Sequence, residues 1–149
     1  MKLEINKQTI DFIETTMKPI QFLGIKVKEL RVGRVVLSMP INGNMNPNGH
    51  MFGGYIFALA DFIMGPLWVT SFEWEEMYNT SREATIRYHK PVTSNVTAEL
   101  AFSKTEINRI EQSTRDFGKC DFTFDVIIRN AEGEKVATVT HNNQMRLIK

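Results

Sequence analysis

The chain has 149 residues, of which 42% are hydrophobic and 23% charged, and a formal net charge of +1. This length predicts one domain over residues 1–149 with a core of ordinary size, and the balanced charge argues against a nucleic-acid partner. Cys120 is the single cysteine, which excludes an intrachain disulfide and fits a reducing compartment. The N-terminus lacks an apolar leader segment, so we expect a cytoplasmic protein.

The first part of the chain predicts a helix and then a β-hairpin. Asn6 is the expected N-cap of an amphipathic helix over residues 6–18, which ends at a Lys-Pro pair. Residues 22–41 alternate apolar and polar side chains as hairpin strands do, with the turn at residues 31–34. The asparagine- and glycine-rich segment that follows, residues 42–49, indicates a loop.

Residues 53–75 form the most apolar stretch and predict a long central helix. Apolar side chains surround its helical wheel from residue 55 to residue 72, which is typical of a helix buried on every side. Pro66 lacks an N–H and predicts a kink. Asp61 is the one ionisable residue in this run. A desolvated carboxylate costs stability, so we expect that a chain that keeps one uses it. This charge and the Gly-Pro pair favour a core helix over a membrane span, so we expect no membrane partner.

After this helix the apolar residues recur at every second position, which is typical of strands. The expected strands lie at residues 79–90, 96–102, 122–128 and 136–147. The polar segment 104–117 between them is interpreted as a long, twisted hairpin connection. Because the strands are grouped and do not alternate with helices, the order predicts an α+β fold with a curved antiparallel sheet around the central helix. One sheet covers only part of such a helix, so we expect a homodimer, or a homotetramer of two dimers.

The loop and the start of the central helix carry a spaced motif. It reads Asn46, then Phe52-Gly53-Gly54, then Leu59-Ala60-Asp61, and later Tyr88-His89-Lys90-Pro91. This arrangement resembles the hotdog-fold acyl-CoA thioesterases of the phenylacetate-pathway (PaaI) type, and the resemblance runs from about residue 20 to the C-terminus. Phe52 departs from the histidine that the family usually has there, although some related hotdog sequences carry Phe-Gly-Gly.

The resemblance implies a hydrolase for acyl-CoA thioesters that needs no cofactor. In it, Asp61 activates water or attacks the thioester carbon, and the Gly53 N–H donates to the thioester carbonyl. Asn46, supplied by the opposite subunit, positions water or substrate. Asp61 lies eight residues after Gly53, roughly 12 Å along a helix. That separation is too long for one helix to serve one thioester, so we expect a site shared across a two-fold dimer interface, as the family has.

Other residues near the motif are expected to bind substrate. Phe52, Gly54 and His50 belong to the substrate site, and Lys90, followed by Arg87, is expected to meet the phosphates of coenzyme A. The three histidines of the chain are scattered along the sequence, so no metal site is predicted.

Simpler interpretations stand beside these roles. In the simpler interpretation, Asn46, which lies among other asparagines, forms a turn. The glycine pair then only permits close helix packing. Asp61 is then a structural carboxylate. Two other functions also stay open. One is a non-catalytic acyl-CoA binding module, which the Phe52 replacement motivates. The other is a hydroxyacyl thioester dehydratase, a class that uses a catalytic histidine near the start of the same helix.

Overall fold

The computed structural model describes all residues, 1–149, and begins with two short helices. Helix α1 spans Lys7–Thr15, and the Asn6 side chain accepts a hydrogen bond of 3.0 Å from its first turn, as predicted for an N-cap. Helix α2 spans Lys18–Phe22. The predicted single helix over residues 6–18 is therefore too long. Pro19 lies in the first turn of α2, where its fixed φ suits the start of a helix.

Six antiparallel strands form one sheet in the order β1-β2-β4-β5-β6-β3. The strands are β1 Lys26–Arg31, β2 Arg34–Met39, β3 Met77–Tyr88, β4 Val96–Ala101, β5 Lys119–Arg129 and β6 Lys135–Leu147. Every strand expected from the sequence is present, and the α+β class is confirmed. The sheet and the helices share one core cluster of 31 buried residues.

The predicted central helix is present, but it is interrupted at Ile63, three residues before Pro66, and it ends at Ser71, before residue 75. Helix α3 spans Gly53–Phe62 and α4 spans Met64–Ser71. The hydrogen bond from the Leu67 N–H to the Ile63 carbonyl is long, at 3.4 Å, because the proline ring crowds this turn. The segment Gly53–Ser71 is long and apolar enough to cross a membrane, and 44% of it is buried inside this fold. Helices α3 and α4 contact β1, β2 and β5.

The interpretation of residues 104–117 as a hairpin connection is wrong, because they form helix α5, Lys104–Phe117. Ser103 and Glu106 make a reciprocal capping box, with hydrogen bonds of 2.7 and 3.1 Å. Ile107 and Ile110 are buried on one side of the helix. Gly118, at φ 76°, ends the helix in the left-handed conformation that glycine adopts without strain.

The two edges of the sheet differ. At the β1 edge, the Val27 N–H donates to Glu14 Oε1 of α1 at 2.9 Å, and Lys26 pairs with the same carboxylate at 3.1 Å. The register of β1 also shifts between Val27 and Glu29. At the other edge, β3 pairs with β6 on one side only and most of its side chains are exposed. The fold therefore leaves β3 as a long open edge.

Candidate active site

Helix α3 begins with two N–H groups that no side chain caps. Phe52 is the N-cap, and its own N–H donates to the Asn44 carbonyl at 2.9 Å. The next two residues, Gly53 and Gly54, lie in the first turn, where N–H groups have no acceptor within the helix. The positive end of the helix dipole lies at the same place. This terminus therefore offers free donors to a partially negative oxygen.

The two glycines provide space and not unusual backbone angles, since neither has a positive φ. A Cβ on Gly53 would lie 2.9 Å from the Tyr88 phenol oxygen, and a Cβ on Gly54 would lie 2.6 Å from the Phe52 ring. Tyr88 donates a hydrogen bond of 2.9 Å to the Gly53 carbonyl, and burial raises the pKa of its phenol. Phe52 packs edge-on against Tyr55 at 5.0 Å. The two glycines therefore permit close packing of Tyr88 and Phe52 against this helix start.

A cavity of about 400 Å³, here called the loop cavity, opens beside this helix start. Its lining includes Asn46, His50, Gly53, Tyr88, His89 and Lys90. The structure therefore brings together most of the residues predicted for the thioester carbonyl and coenzyme A. Phe52, which is 49% exposed, and Gly54 lie at the same helix start but do not line this cavity.

Asn46 shapes the loop that forms one wall of the loop cavity. Its Oδ1 accepts hydrogen bonds from the N–H groups of Asn48 at 2.9 Å and His50 at 3.2 Å. Its backbone N–H donates to the His50 carbonyl at 2.7 Å. Asn46 therefore forms a turn, as the simpler interpretation held. Its Nδ2 makes no hydrogen bond within the chain, so the amide still has a donor for another molecule.

The basic residues predicted to meet phosphates lie on the exposed end of β3 and just beyond it. Lys90 pairs with Glu134, and this cation holds the pKa of the Glu134 carboxyl below its ordinary value. The pair is solvent-exposed, so a competing anion has access to the ammonium group. Arg87 is exposed and forms no ion pair within the chain. His89 contacts Thr138 Oγ1 at 2.9 Å.

Asp61 is not in the loop cavity. It lines a second cavity of about 500 Å³, here called the helix cavity, between the N-terminal helices and α3–α4. The expectation of a buried carboxylate is wrong for the single chain, because half of the Asp61 side chain is exposed. The buried part of its carboxylate lies against strands β3 and β6. The Ser81 hydroxyl donates to Asp61 Oδ1 at 3.5 Å, and His141 Nδ1 lies 4.0 Å from the same oxygen.

The rest of the helix cavity is mostly apolar. Its lining includes Phe12, Met17, Phe62, Met64, Trp68 and Asn79. Helices α1 and α2 form one wall of this cavity, and the sequence did not identify their residues as part of a site. No group of three or more His, Cys, Asp or Glu side chains is arranged to hold a metal ion.

A family model described as a domain of unknown function, DUF4442, matches residues 9–145. The chain belongs to this family. No curated protein matches it in sequence. A crystal structure of a Pseudomonas aeruginosa protein of unknown function, described as a probable thioesterase, is 28% identical to this DUF4442 chain. The alignment covers 99% of each chain with a TM-score of 0.95.

More distant structures share the architecture of this DUF4442 chain. The E. coli PaaI protein of the phenylacetic acid degradation operon is 18% identical over 95% of this chain and 92% of its own, with a TM-score of 0.67. A Haemophilus influenzae thioesterase is 16% identical over 99% and 96%, with a TM-score of 0.72. These likenesses show the fold alone. The expected hotdog fold is confirmed, and this DUF4442 chain shares it with proteins described as thioesterases.

Proposed function

We propose that the chain hydrolyses an acyl-CoA thioester to a free acid and coenzyme A. The observation that carries this proposal is the division of polar groups between two cavities. The free N–H donor of Gly53 adjoins the loop cavity, whereas the Asp61 carboxylate lies in the helix cavity near the other end of α3. Thioester hydrolysis needs both a donor to the carbonyl oxygen and a base for water.

A two-fold dimer unites the two kinds of group. If two α3 helices run antiparallel across the axis, Asp61 of one protomer lies near the partner subunit's Gly53. The open β3 edge supports this assembly, because an unpaired strand is a ready template for another strand. The exposed half of Asp61 and the half-buried apolar residues Phe57 and Ala58 on α3 then face the partner.

In the proposed reaction, the Asp61 carboxylate removes a proton from water, and the water oxygen bonds to the thioester carbon. The partner subunit's Gly53 N–H donates to the carbonyl oxygen as it gains negative charge. The C–S bond then breaks, and the coenzyme A thiolate leaves and takes up the proton. In the alternative route, Asp61 attacks the carbon itself, and water then hydrolyses the resulting anhydride. Either route consumes one water per thioester.

The cavities also match the two ends of such a substrate. The helix cavity is apolar, which suits a hydrocarbon or aromatic acyl group. The loop cavity includes Lys90, and Arg87 lies nearby on β3, so cationic groups stand where coenzyme A phosphates would meet solvent. Asn46 has a free amide donor in the same cavity.

A non-catalytic acyl-CoA binding module is the second candidate. Phe52 supports it, because its ring packs on Tyr55 and gives the helix start no polar side chain. The same cavities would then hold the ligand without turnover.

A panel of aliphatic and aromatic acyl-CoAs with thiol detection separates the two candidates. Release of coenzyme A by the wild-type protein, and its loss in Asp61→Asn, supports hydrolysis. Binding by calorimetry without thiol release would reject hydrolysis in favour of the binding module. Enoyl and hydroxyacyl thioesters followed by absorbance test the dehydratase alternative in the same preparations.

A further inference from the structure

His141 is a buried histidine that the proposed reaction does not yet use. It lies on β6, on the sheet face beneath α3, and is 1% exposed. Its ring stacks on Phe124 of β5 with centroids 4.9 Å apart and planes at 11°. Neither ring nitrogen has a hydrogen-bond partner within the chain. A buried polar group without a partner is costly and uncommon in native proteins.

Packing alone does not account for a histidine here. An apolar ring would stack on Phe124 equally well without two unpaired nitrogens. The groups that face His141 from the neighbouring strands are Phe124 of β5 and Ala84 of β3, both apolar. Along β6 the next residue on the same face is Asn143, which is neutral and buried. From α3 the charged group is Asp61, with its Oδ1 4.0 Å from His141 Nδ1.

We propose that His141 is a positioning residue for Asp61, whose carboxylate accepts a hydrogen bond from His141 Nδ1–H in the assembled site. This inference rests on the proposed function. The distance of 4.0 Å is just beyond a hydrogen bond. Asp61 is half-exposed and otherwise held only by Ser81 at 3.5 Å, so a rotation of its side chain closes the gap. When a partner subunit and substrate cover the exposed half of Asp61, competing water is removed, and this favours the rotation.

The charge state of His141 fits a donor of this kind. Burial lowers its pKa, and the Asp61 carboxylate opposes that shift only in part. The backbone of Ala60 also raises the pKa of His141, although it forms no hydrogen bond with the ring. A neutral imidazole has one N–H donor, and a carboxylate neighbour selects the nitrogen that carries it. His141 thus orients Asp61 and takes no proton from the substrate.

The kinetic test compares His141→Phe with His141→Asn. Phenylalanine keeps the stacking on Phe124 without a donor, whereas asparagine places an amide donor close to the Nδ1 position. We expect His141→Phe to lower kcat/KM by about 10²-fold through misplacement of the carboxylate, and His141→Asn to recover most of the loss. A hydrogen bond donated to a carboxylate favours its charged form. The acidic limb of the pH–rate profile should therefore move to higher pH in His141→Phe and return in His141→Asn.

A second measurement does not depend on activity. Long-range ¹H–¹⁵N NMR of the full-length protein reports which imidazole nitrogen carries the proton. We expect Nδ1–H in the wild type and a loss of that preference in Asp61→Ala. This result without thioester turnover would retain the pairing and reject the proposed function. Turnover that depends on Asp61 but is unchanged in His141→Phe, or a proton on Nε2 in both proteins, would overturn the inference.

Discussion

The phenol of Tyr88 donates a hydrogen bond of 2.9 Å to the backbone carbonyl of Gly53. This contact joins the end of β3 to the first turn of α3, although the two residues lie far apart in sequence. Strand β3 pairs with β6, and its last residue, Tyr88, lies beside the start of α3. The free N–H groups of α3 are therefore held in place by a strand that also forms the open edge of the sheet.

Gly53→Ala should lower stability, because the new Cβ would lie 2.9 Å from the Tyr88 oxygen and displace it. Loss of this hydrogen bond is expected to cost about 1 kcal/mol. The cost should be smaller in a Tyr88→Phe background, where the nearest clashing atom is already gone. Chemical denaturation of the two single variants and the double variant measures this coupling. Gly65→Ala is the matched control, since its Cβ would meet nothing within 4 Å. It should stabilise the protein by up to about 1 kcal/mol.

Asp61→Asn should reduce kcat by about 10²–10⁴-fold, because the amide neither accepts a proton from water nor attacks as an anion. The thermal midpoint should stay near that of the wild type or rise, since Asp61 makes only one long hydrogen bond in the chain. Melting and turnover are measured on the same preparation. A lowered midpoint with near-normal activity per folded molecule would instead identify a structural carboxylate.

Lys90→Ala should raise the KM for acyl-CoA more than it lowers kcat, because remote phosphate contacts act on the ground state and the transition state alike. Its partner offers an opposite test. Glu134→Gln frees the Lys90 ammonium from its ion pair, so the KM should fall. Steady-state kinetics with one acyl-CoA measure both variants. A change in kcat alone would show that Lys90 has a different role.

The wild-type protein should sediment as a homodimer, or as a tetramer of dimers, at concentrations where it is active. Activity per protomer should fall on dilution, because one protomer holds Gly53 and Asp61 in separate cavities. Sedimentation and initial rates over the same dilution series provide the measurement. A stable monomer with full activity would contradict the shared site.

Stability should decrease as the pH falls below about 6.5, partly through His141. Burial lowers its pKa in the folded state from the ordinary value of 6.5. Below pH 6.5 the unfolded chain therefore binds a proton that the folded chain resists, until the pH reaches the folded pKa. This contributes at most about 1.4 kcal/mol per pH unit. Denaturation of wild type and His141→Phe between about pH 5 and 7 should show a smaller slope for the variant. Equal slopes would show that His141 is not the group responsible.

The sequence predicted the sheet and the central helix well, because their apolar periodicity is strong. Helix α5 was missed because only Ile107 and Ile110 mark its apolar side. The Ser103-x-x-Glu106 capping box was the available signal, and Gly118 marked the C-terminal end.

The candidate site was harder to derive, because its geometry depends on distant contacts. The all-round apolar pattern of the central helix suggested a buried Asp61, yet the sheet covers only one side of that helix. His141 was passed over as a scattered histidine. It and Asn143 occupy positions on β6 that alternate with exposed residues, so two polar side chains on the core face were the signal.

The two edges of the sheet differ in how readily they accept another strand. At β1 the Glu14 carboxylate already occupies the Val27 N–H, and the irregular register disfavours an added strand. Pairing through β3 with a second β3 satisfies both open edges at once. Such growth is self-limiting, because the joined sheet ends in two blocked β1 strands and has no free edge for a third chain. If the chain dimerises through β3, strand pairing therefore ends at two chains and does not extend into a fibre.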